Sequence, residues 1–158
     1  MKIREARLKD ALPLAKLIRS VIASTPYYSP EAQKEEIKKH DKSKLKEYLS
    51  DRKYYTCLIA EEDKKITGFV IGRNEAGVFW LDWIGVHRVF RGKHIAESLM
   101  KKLEKLIKPK GVHKIWCDTR NTNKESISLL KKLKYKKLGF FQNGWYKQDF
   151  FLWEKDIA

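Results

Sequence analysis

Residues 86–100 read VHRVFRGKHIAESLM. A basic turn containing Gly92 opens a stretch in which Ile95, Leu99, Leu103 and Leu106/Ile107 recur at helical spacing. This layout predicts a helix over 92–107. It also predicts an anion site at the helix start, where backbone N–H groups have no intrahelical partner and the helix dipole favours negative charge. Phosphate-holding loops usually carry two or three glycines. Here there is one, and His94 stands where another is expected. Histidine keeps the N–H that a phosphate needs, so the exchange costs little if residue 94 has helical φ; it forbids only a backbone that must be left-handed there or must approach the ligand without a Cβ.

Outward from this turn, the bulk properties set limits. A chain of 158 residues suits one domain, 1–158, with a proper core. No run approaches the roughly 18 uninterrupted apolar residues of a membrane span. The N-terminal MKIREARLKD lacks the apolar core of a signal peptide, so a cytoplasmic protein is expected. Cys57 and Cys117 form no CxxC pair and read as small buried hydrophobes. The formal net charge is +15. That fits either a polyanion-binding surface or a lysine-rich solvated surface around a small anionic-ligand site. The lysines are scattered, and the densest cluster, KKLKYKK at 131–137, interleaves one aromatic. Nucleic acid is therefore a possible partner, not the favoured one.

The order of elements follows from periodicity. Residues 2–7 form a short strand. Asp10 is placed to cap a helix from Ala11, with Leu14, Leu17, Ile18, Val21 and Ile22 on one face and Pro26 ending it. Ser29-Pro30 opens a charged stretch to Ser50 that predicts one or two short helices near the surface. YYTCLIA (54–60), ITGFVIG (66–72) and VFWLDWIGV (78–86) are β-rich runs separated by turns, an antiparallel meander. After the helix at 92–107 come a strand at 113–119, a helix capped by Asn121 or Asn123 and running to about Leu133, and a closing strand–turn–strand, YKKLGFF, QNG, WYKQDFFLWEKDI. The order is β-α-α-β-β-β-α-β-α-β-β, an α/β (α+β) sheet of about seven mostly antiparallel strands. The strand–helix–strand unit over 78–119 makes those two strands parallel neighbours.

This order, with the 91–96 loop, resembles the GNAT superfamily of acetyl-CoA-dependent N-acetyltransferases over nearly the whole chain. In that family a strand ending V-x-P-x-x leads into R/Q-x-x-G-x-G/A, whose amides hold the coenzyme A pyrophosphate. Val86 and Arg91-Gly92-Lys93-His94-Ile95-Ala96 fit, with His94 replacing a glycine and Arg88 the proline. The resemblance implies acetyl-CoA as cofactor, bound by Ile84, Gly85, Val86, the 91–96 loop, Asn123 and Ser126.

NKESISLLKKLKY (123–135) is similar to the family's N-x-x-A/S helix and its exit into the sixth strand. In this register Leu130 stands where many members carry a tyrosine that protonates the leaving thiolate, and Lys134 stands at a glycine. A rival register would make Tyr135 that acid. It lengthens the helix by five residues and leaves only about three for the next strand, which is shorter than normal, so the first register is preferred.

The family's chemistry is direct attack of an amine on a thioester. It needs a neutral amine, a donor on the thioester oxygen and a route for the leaving sulfur. The resemblance puts the donor at the fourth strand, around Ile84-Gly85-Val86, where Gly85 suits a bulge or a close backbone approach. An α-amine, with a reference pKa of about 8, asks less of a base than lysine at about 10.4. Asp82 is the lone acid among Phe79, Trp80, Leu81, Trp83 and Ile84, and strand parity places it with Trp80 and Ile84. A carboxylate is costly to bury unpaired. Asp82 reads either as the catalytic base or as half of a structural ion pair. Tyr146 is a second catalytic candidate. Trp145 and the Tyr27-Tyr28 pair are candidate walls of an acceptor slot, and the aromatic last hairpin favours a protein or peptide amine. A small metabolite amine, or a non-catalytic acyl-CoA- or RNA-binding module, is the alternative. Members of the family occur as monomers or homodimers.

Overall fold

The computed structural model describes residues 1–158. Seven strands form one sheet in the order β1-β2-β3-β4-β5-β7-β6. They are β1 (Lys2–Glu5), β2 (Tyr55–Glu62), β3 (Lys65–Glu75), β4 (Val78–Val86), β5 (Lys114–Arg120), β6 (Lys136–Phe141) and β7 (Phe150–Asp156). All neighbours are antiparallel except β4 and β5. The β2–β3 turn places Asp63 and Lys64 at positive φ, the two-residue geometry that matches the twist of a hairpin.

Five helices cover the sheet: α1 (Ala11–Ala23), α2 (Pro30–Lys39), α3 (Lys42–Ser50), α4 (Ile95–Ile107) and α5 (Lys124–Lys132). On one face, Ile95, Leu99, Met100, Leu103 and Ile107 of α4 and Leu130 of α5 pack with Val70, Phe79, Ile115, Cys117 and Trp153. On the other, α1 and α3 pack Leu14, Ile18, Ile22, Leu45 and Leu49 against Ile59, Phe69 and Ile71. The charged stretch 29–50 resolves into two helices, each capped by its preceding side chain: Ser29 accepts from the N–H of Ala32 and Asp41 from that of Lys44. It is less superficial than its composition indicates, because Ala32 and Leu45 are fully buried.

Several expectations are corrected. β1 stops at Glu5. Asp10 does not cap α1 with its side chain. It accepts from the N–H of Arg7 at 2.7 Å and is gripped by Arg4 at 2.8 and 3.0 Å, so an ion pair takes the oxygens a cap would use. α4 begins at Ile95, not 92, because Gly92 (φ 79°) and His94 (φ 58°) are left-handed. The last strand begins at Phe150, since Trp145–Lys147 make a short turn with Tyr146 and Lys147 at positive φ.

Two irregularities shape the middle of the sheet. β4 and β5 pair only at Val78–Lys114, Phe79–Ile115 and Trp80–Trp116; beyond these the strands part. Opposite β3, the register steps from Ile71–Trp83 to Gly72–Leu81, leaving Asp82 as the extra residue of a bulge. The bulge breaks the expected parity of Asp82 and Ile84. Ile84 packs on the α4 side, whereas Trp83 packs on the α1 side and Asp82 pairs there with Arg73. Gly85 is not in the bulge. A Cβ there would sit 2.6 Å from Phe69 Cε1, so glycine answers a close approach.

Candidate functional site

Where β4 and β5 part, a cleft of about 1310 Å³ passes through the sheet. On the α4 side it is lined by Arg91, Gly92, His94–Glu97, Asn123, Ser126 and Leu130, and on the α1 side by Tyr27, Tyr28, Glu36, Asp82 and Tyr146. Ile84, Gly85 and Val86 edge the gap between them.

The loop before α4 presents a run of free donors. None of the backbone N–H groups from Gly92 to Glu97 bonds to another group of the chain; the first helical bond is Ser98 N–H to His94 O at 3.0 Å. Arg91 fastens the loop, donating from Nε to the carbonyl of Val86 at 3.1 Å and from Nη2 to Ser24 Oγ at 3.1 Å. At Gly92 the space where a Cβ would lie is open to 4 Å. Free amides, a helix start and an open glycine together fit a phosphate group. The expectation of helical φ at residue 94 is corrected: His94 is left-handed (φ 58°), a conformation that costs an L-residue about 1–2 kcal/mol but that histidine here adopts, with its N–H still free. Its ring is three-quarters exposed, with Nδ1 3.3 Å from Glu97. Glu97 also meets Lys101 at 2.7 Å and Lys132 at 2.6 Å, which hold its pKa down to about 2. Its charge is thereby matched at the helix start where an anion would sit. Lys93, expected at this site, does not line the cleft; its ammonium lies over the Phe90 ring, 5.1 Å away.

Asn123 and Ser126 line the cleft while capping α5. Asn123 Oδ1 accepts from Ser126 N–H at 3.1 Å and Nδ2 donates to Ser126 Oγ at 2.9 Å. The preferred register of this segment holds: α5 ends at Lys132, Lys134 takes φ 67° at the expected glycine position, and Leu130 reaches the cleft. Tyr135 is buried in the α4 core with its hydroxyl toward Glu104, and burial raises its pKa far above the usual value. It is no proton donor for the cleft.

The α1 side is rich in aromatic and charged groups. Tyr27 and Tyr28 stack at 5.7 Å, Tyr28 lies 6.2 Å from Trp83, and the Arg120 guanidinium lies 4.1 Å over the Tyr28 ring. Arg120 Nε donates to Gln148 Oε1 at 2.8 Å, and Gln148 Nε2 to the carbonyl of Tyr27 at 2.9 Å, tying the last hairpin to the segment after α1. The Tyr146 hydroxyl donates to Glu36 at 2.7 Å and accepts from Lys39 at 3.1 Å. Trp145 stands at the mouth, half exposed and edge-on to Phe150.

Asp82 reaches the gap already paired with Arg73, its side chain one-quarter exposed. Burial raises its pKa, and Arg73 opposes the rise. Sequence reasoning missed Asp118, Glu36, His40, Arg73 and Arg120, all of which line the cleft. Asp118 carried a weaker form of the signal at Asp82, the one acid of its strand, following the apolar Ile115, Trp116 and Cys117. Glu36 and His40 lie in a charged helix and carried none.

Seven strands parted between a parallel central pair, with a free-amide loop on one side of the gap and carboxylates on the other, define an α/β fold with a cleft through its sheet. The acetyltransferase (GNAT) family model matches residues 20–135, and the chain belongs to that family. Over 78 residues it is 36% identical to an acetyltransferase of Pectobacterium atrosepticum, a match spanning 49% of this chain and 55% of that relative, so about half of each. Among solved structures it is similar to the PaiA N-acetyltransferase of Thermoplasma acidophilum in complex with coenzyme A (22% identity, TM-score 0.86, 98% of both chains). It is also similar to the ribosomal-protein-S18-alanine N-acetyltransferase of Escherichia coli (15%, TM-score 0.79, 99% of this chain and 94% of that one), and to a putative acetyltransferase of Salmonella typhimurium with acetyl-CoA (17%, TM-score 0.82, 100% and 94%). At these identities the structures attest the fold. No helix is long and apolar enough to cross a membrane.

Proposed function

We propose that this protein transfers an acetyl group from acetyl-CoA to a primary amine by direct attack. The observation that carries this reading is the through-sheet cleft, with unpartnered N–H groups at 92–97 on one side and carboxylates on the other. The loop amides would hold the pyrophosphate, with Arg91 bracing the loop. The parted edge of β4 around Ile84-Gly85-Val86 would aim backbone N–H groups at the thioester oxygen. When bound, acetyl-CoA supplies the activated acetyl group. Asp82 and Asp118, which line the cleft beyond the gap, would receive the acceptor's ammonium group and its proton. Leu130 offers the leaving sulfur no proton. A thiol with a pKa of about 8.5 leaves readily as thiolate near neutral pH, so none is required.

The acceptor we favour is a protein or peptide amine. Tyr27 and Tyr28 on one side and Tyr146 and Trp145 on the other form aromatic walls around the carboxylates, and a chain terminus fits between such walls. Relatives of similar fold include a ribosomal-protein alanine N-acetyltransferase.

The deciding experiment is calorimetric titration with acetyl-CoA, beside Gly92→Pro, which removes an amide and cannot adopt φ 79°. Low-micromolar binding lost in the variant, followed by acetylation of peptides with free N-termini, is expected. Absence of binding at millimolar acetyl-CoA would overturn the reading. Binding without turnover on any amine would favour the non-catalytic acyl-CoA module that Leu130 also permits.

A further inference from the structure

The lysines are scattered along the sequence, but the fold gathers them. Residues 87–158 hold 18 of the 35 Lys and Arg and only 7 of the 20 Asp and Glu, so most of the excess charge lies in the second half. Both carboxylates of α4 are already matched, Glu97 by Lys101 and Lys132 and Glu104 by Lys155. From Glu104 a continuous strip runs across the α4 side to the edge of the sheet. The Lys155 ammonium lies 5.5 Å over the Tyr135 ring. On β6 the Lys137 ammonium lies 4.0 Å over Phe151 and 6.0 Å over Trp153. Phe140 ends the strip, 5.6 Å from Phe151 and half exposed. β6 is the outermost strand, and five of its six residues are exposed. Lys105 and Lys108 border the strip from the end of α4, and Lys134 from the end of α5. These three and Lys137 are exposed, and none has a carboxylate partner.

We propose that this strip is a second binding surface, for single-stranded nucleic acid, and that it works independently of acetyl transfer. Several unpaired cations in a row attract a polyanion, because each phosphate they neutralise releases a counterion. The rings between them select which polyanion. Phe140 and Phe151 present adjacent ring faces beside Lys137, and unstacked bases lie on such faces while their phosphates meet the lysines. An acidic peptide would satisfy the lysines and leave the rings in water. In a duplex the bases cover one another and offer the rings no face. The strip meets α4 at its last turn, whereas the 91–96 loop stands at its start. It lies on the α4 side of the sheet, with Phe151 packed against that core, and the aromatic acceptor walls open on the α1 side. A nucleic-acid strand and an acceptor therefore reach the molecule from opposite faces.

The test is fluorescence anisotropy of a labelled oligouridylate of about 12 nucleotides, titrated between about 50 and 300 mM KCl, with and without saturating acetyl-CoA. Binding with a Kd of about 10 μM or tighter is expected at the low-salt end. The logarithm of the association constant should fall against that of salt with a slope of about −3, since four lysines contribute about 0.7 each on a single strand. Lys105→Gln combined with Lys137→Gln should bring that slope down by about 1.4. Phe140→Leu keeps the apolar bulk and removes the ring. It should weaken binding about fivefold or more and leave the slope unchanged. All three positions are exposed, so the variants should keep the wild-type melting temperature, which checks that they fold. No binding at low salt overturns the proposal, as does an affinity that neither variant changes. Displacement by acetyl-CoA would put the oligonucleotide on the 91–96 loop and overturn it too. An oligoglutamate of equal length that binds as tightly, with Phe140→Leu without effect, would assign the strip to an acidic protein instead.

Discussion

The hydroxyl of Tyr146 donates to the carboxylate of Glu36 at 2.7 Å, joining the last hairpin to α2 across the mouth of the cleft. The same hydroxyl accepts from Lys39 at 3.1 Å, and Gln148 ties the hairpin to Tyr27 a second time. Tyr146→Phe removes both hydroxyl bonds and leaves the ring. The expected cost is about 1–1.5 kcal/mol of acceptor binding, read as a severalfold to tenfold rise in acceptor KM with kcat nearly unchanged. A matching fall in kcat instead would place Tyr146 in the chemistry.

His94 holds a left-handed conformation that glycine adopts freely. His94→Gly should relieve about 1 kcal/mol of strain, raising the melting temperature by about 2–4 °C while keeping acetyl-CoA affinity. A loss of affinity would show that the ring, and not only the backbone N–H, contacts the ligand.

Arg73 and Asp82 share a half-buried site, and each alone is a poor fit there. Arg73→Met leaves the carboxylate without its partner and should cost about 1–3 kcal/mol, most of it recovered in the double variant with Asp82→Asn. Urea unfolding of the four proteins measures the coupling; additive losses would mean that the pair contributes nothing as a pair.

Acid acts on two aspartates with opposite sign. Arg4, aided by the Arg7 N–H against burial, lowers the Asp10 pKa. The stability from Asp10 is present above its unfolded pKa of about 3.9 and is lost as pH falls through the lower folded value. Asp118 is raised to about 6, so the folded state binds the extra proton and stability declines as pH rises from about 4 to 6. Asp118→Asn should therefore melt higher than wild type at pH 7.5, by a margin that shrinks toward pH 4, and Asp10→Asn should melt lower at pH 7.5. An Asp118→Asn melting temperature offset equally at both pH values would contradict the raised pKa.

Much of the fold was legible because period-2 and period-3.6 patterns record which face of each segment is buried. The meander over 54–86, the parallel pair around α4 and the register that puts Leu130 rather than Tyr135 at the cleft all follow from runs of residues near one another in the chain. The limits of elements were less legible, since His94, Tyr146 and Lys147 adopt positive φ, which their residue types do not announce as Gly92 does. Asp10 looked like a cap because the sequence does not show that Arg4 lies beside it.

By itself the sequence determined the class of fold, the basic turn at 91–96 that leads into α4 and the absence of a tyrosine at position 130. These are local matters of spacing and side-chain type. Only the tertiary structure decided how the second half of the site is made. A bulge at Asp82 turns that residue away from Ile84, and the early end of β4–β5 pairing opens the sheet. Asp118, Glu36 and Asp82 then meet from β5, α2 and β4. Which carboxylate has a cation beside it and which stands unpaired depends on contacts between distant segments, and periodicity within a segment carries no record of those.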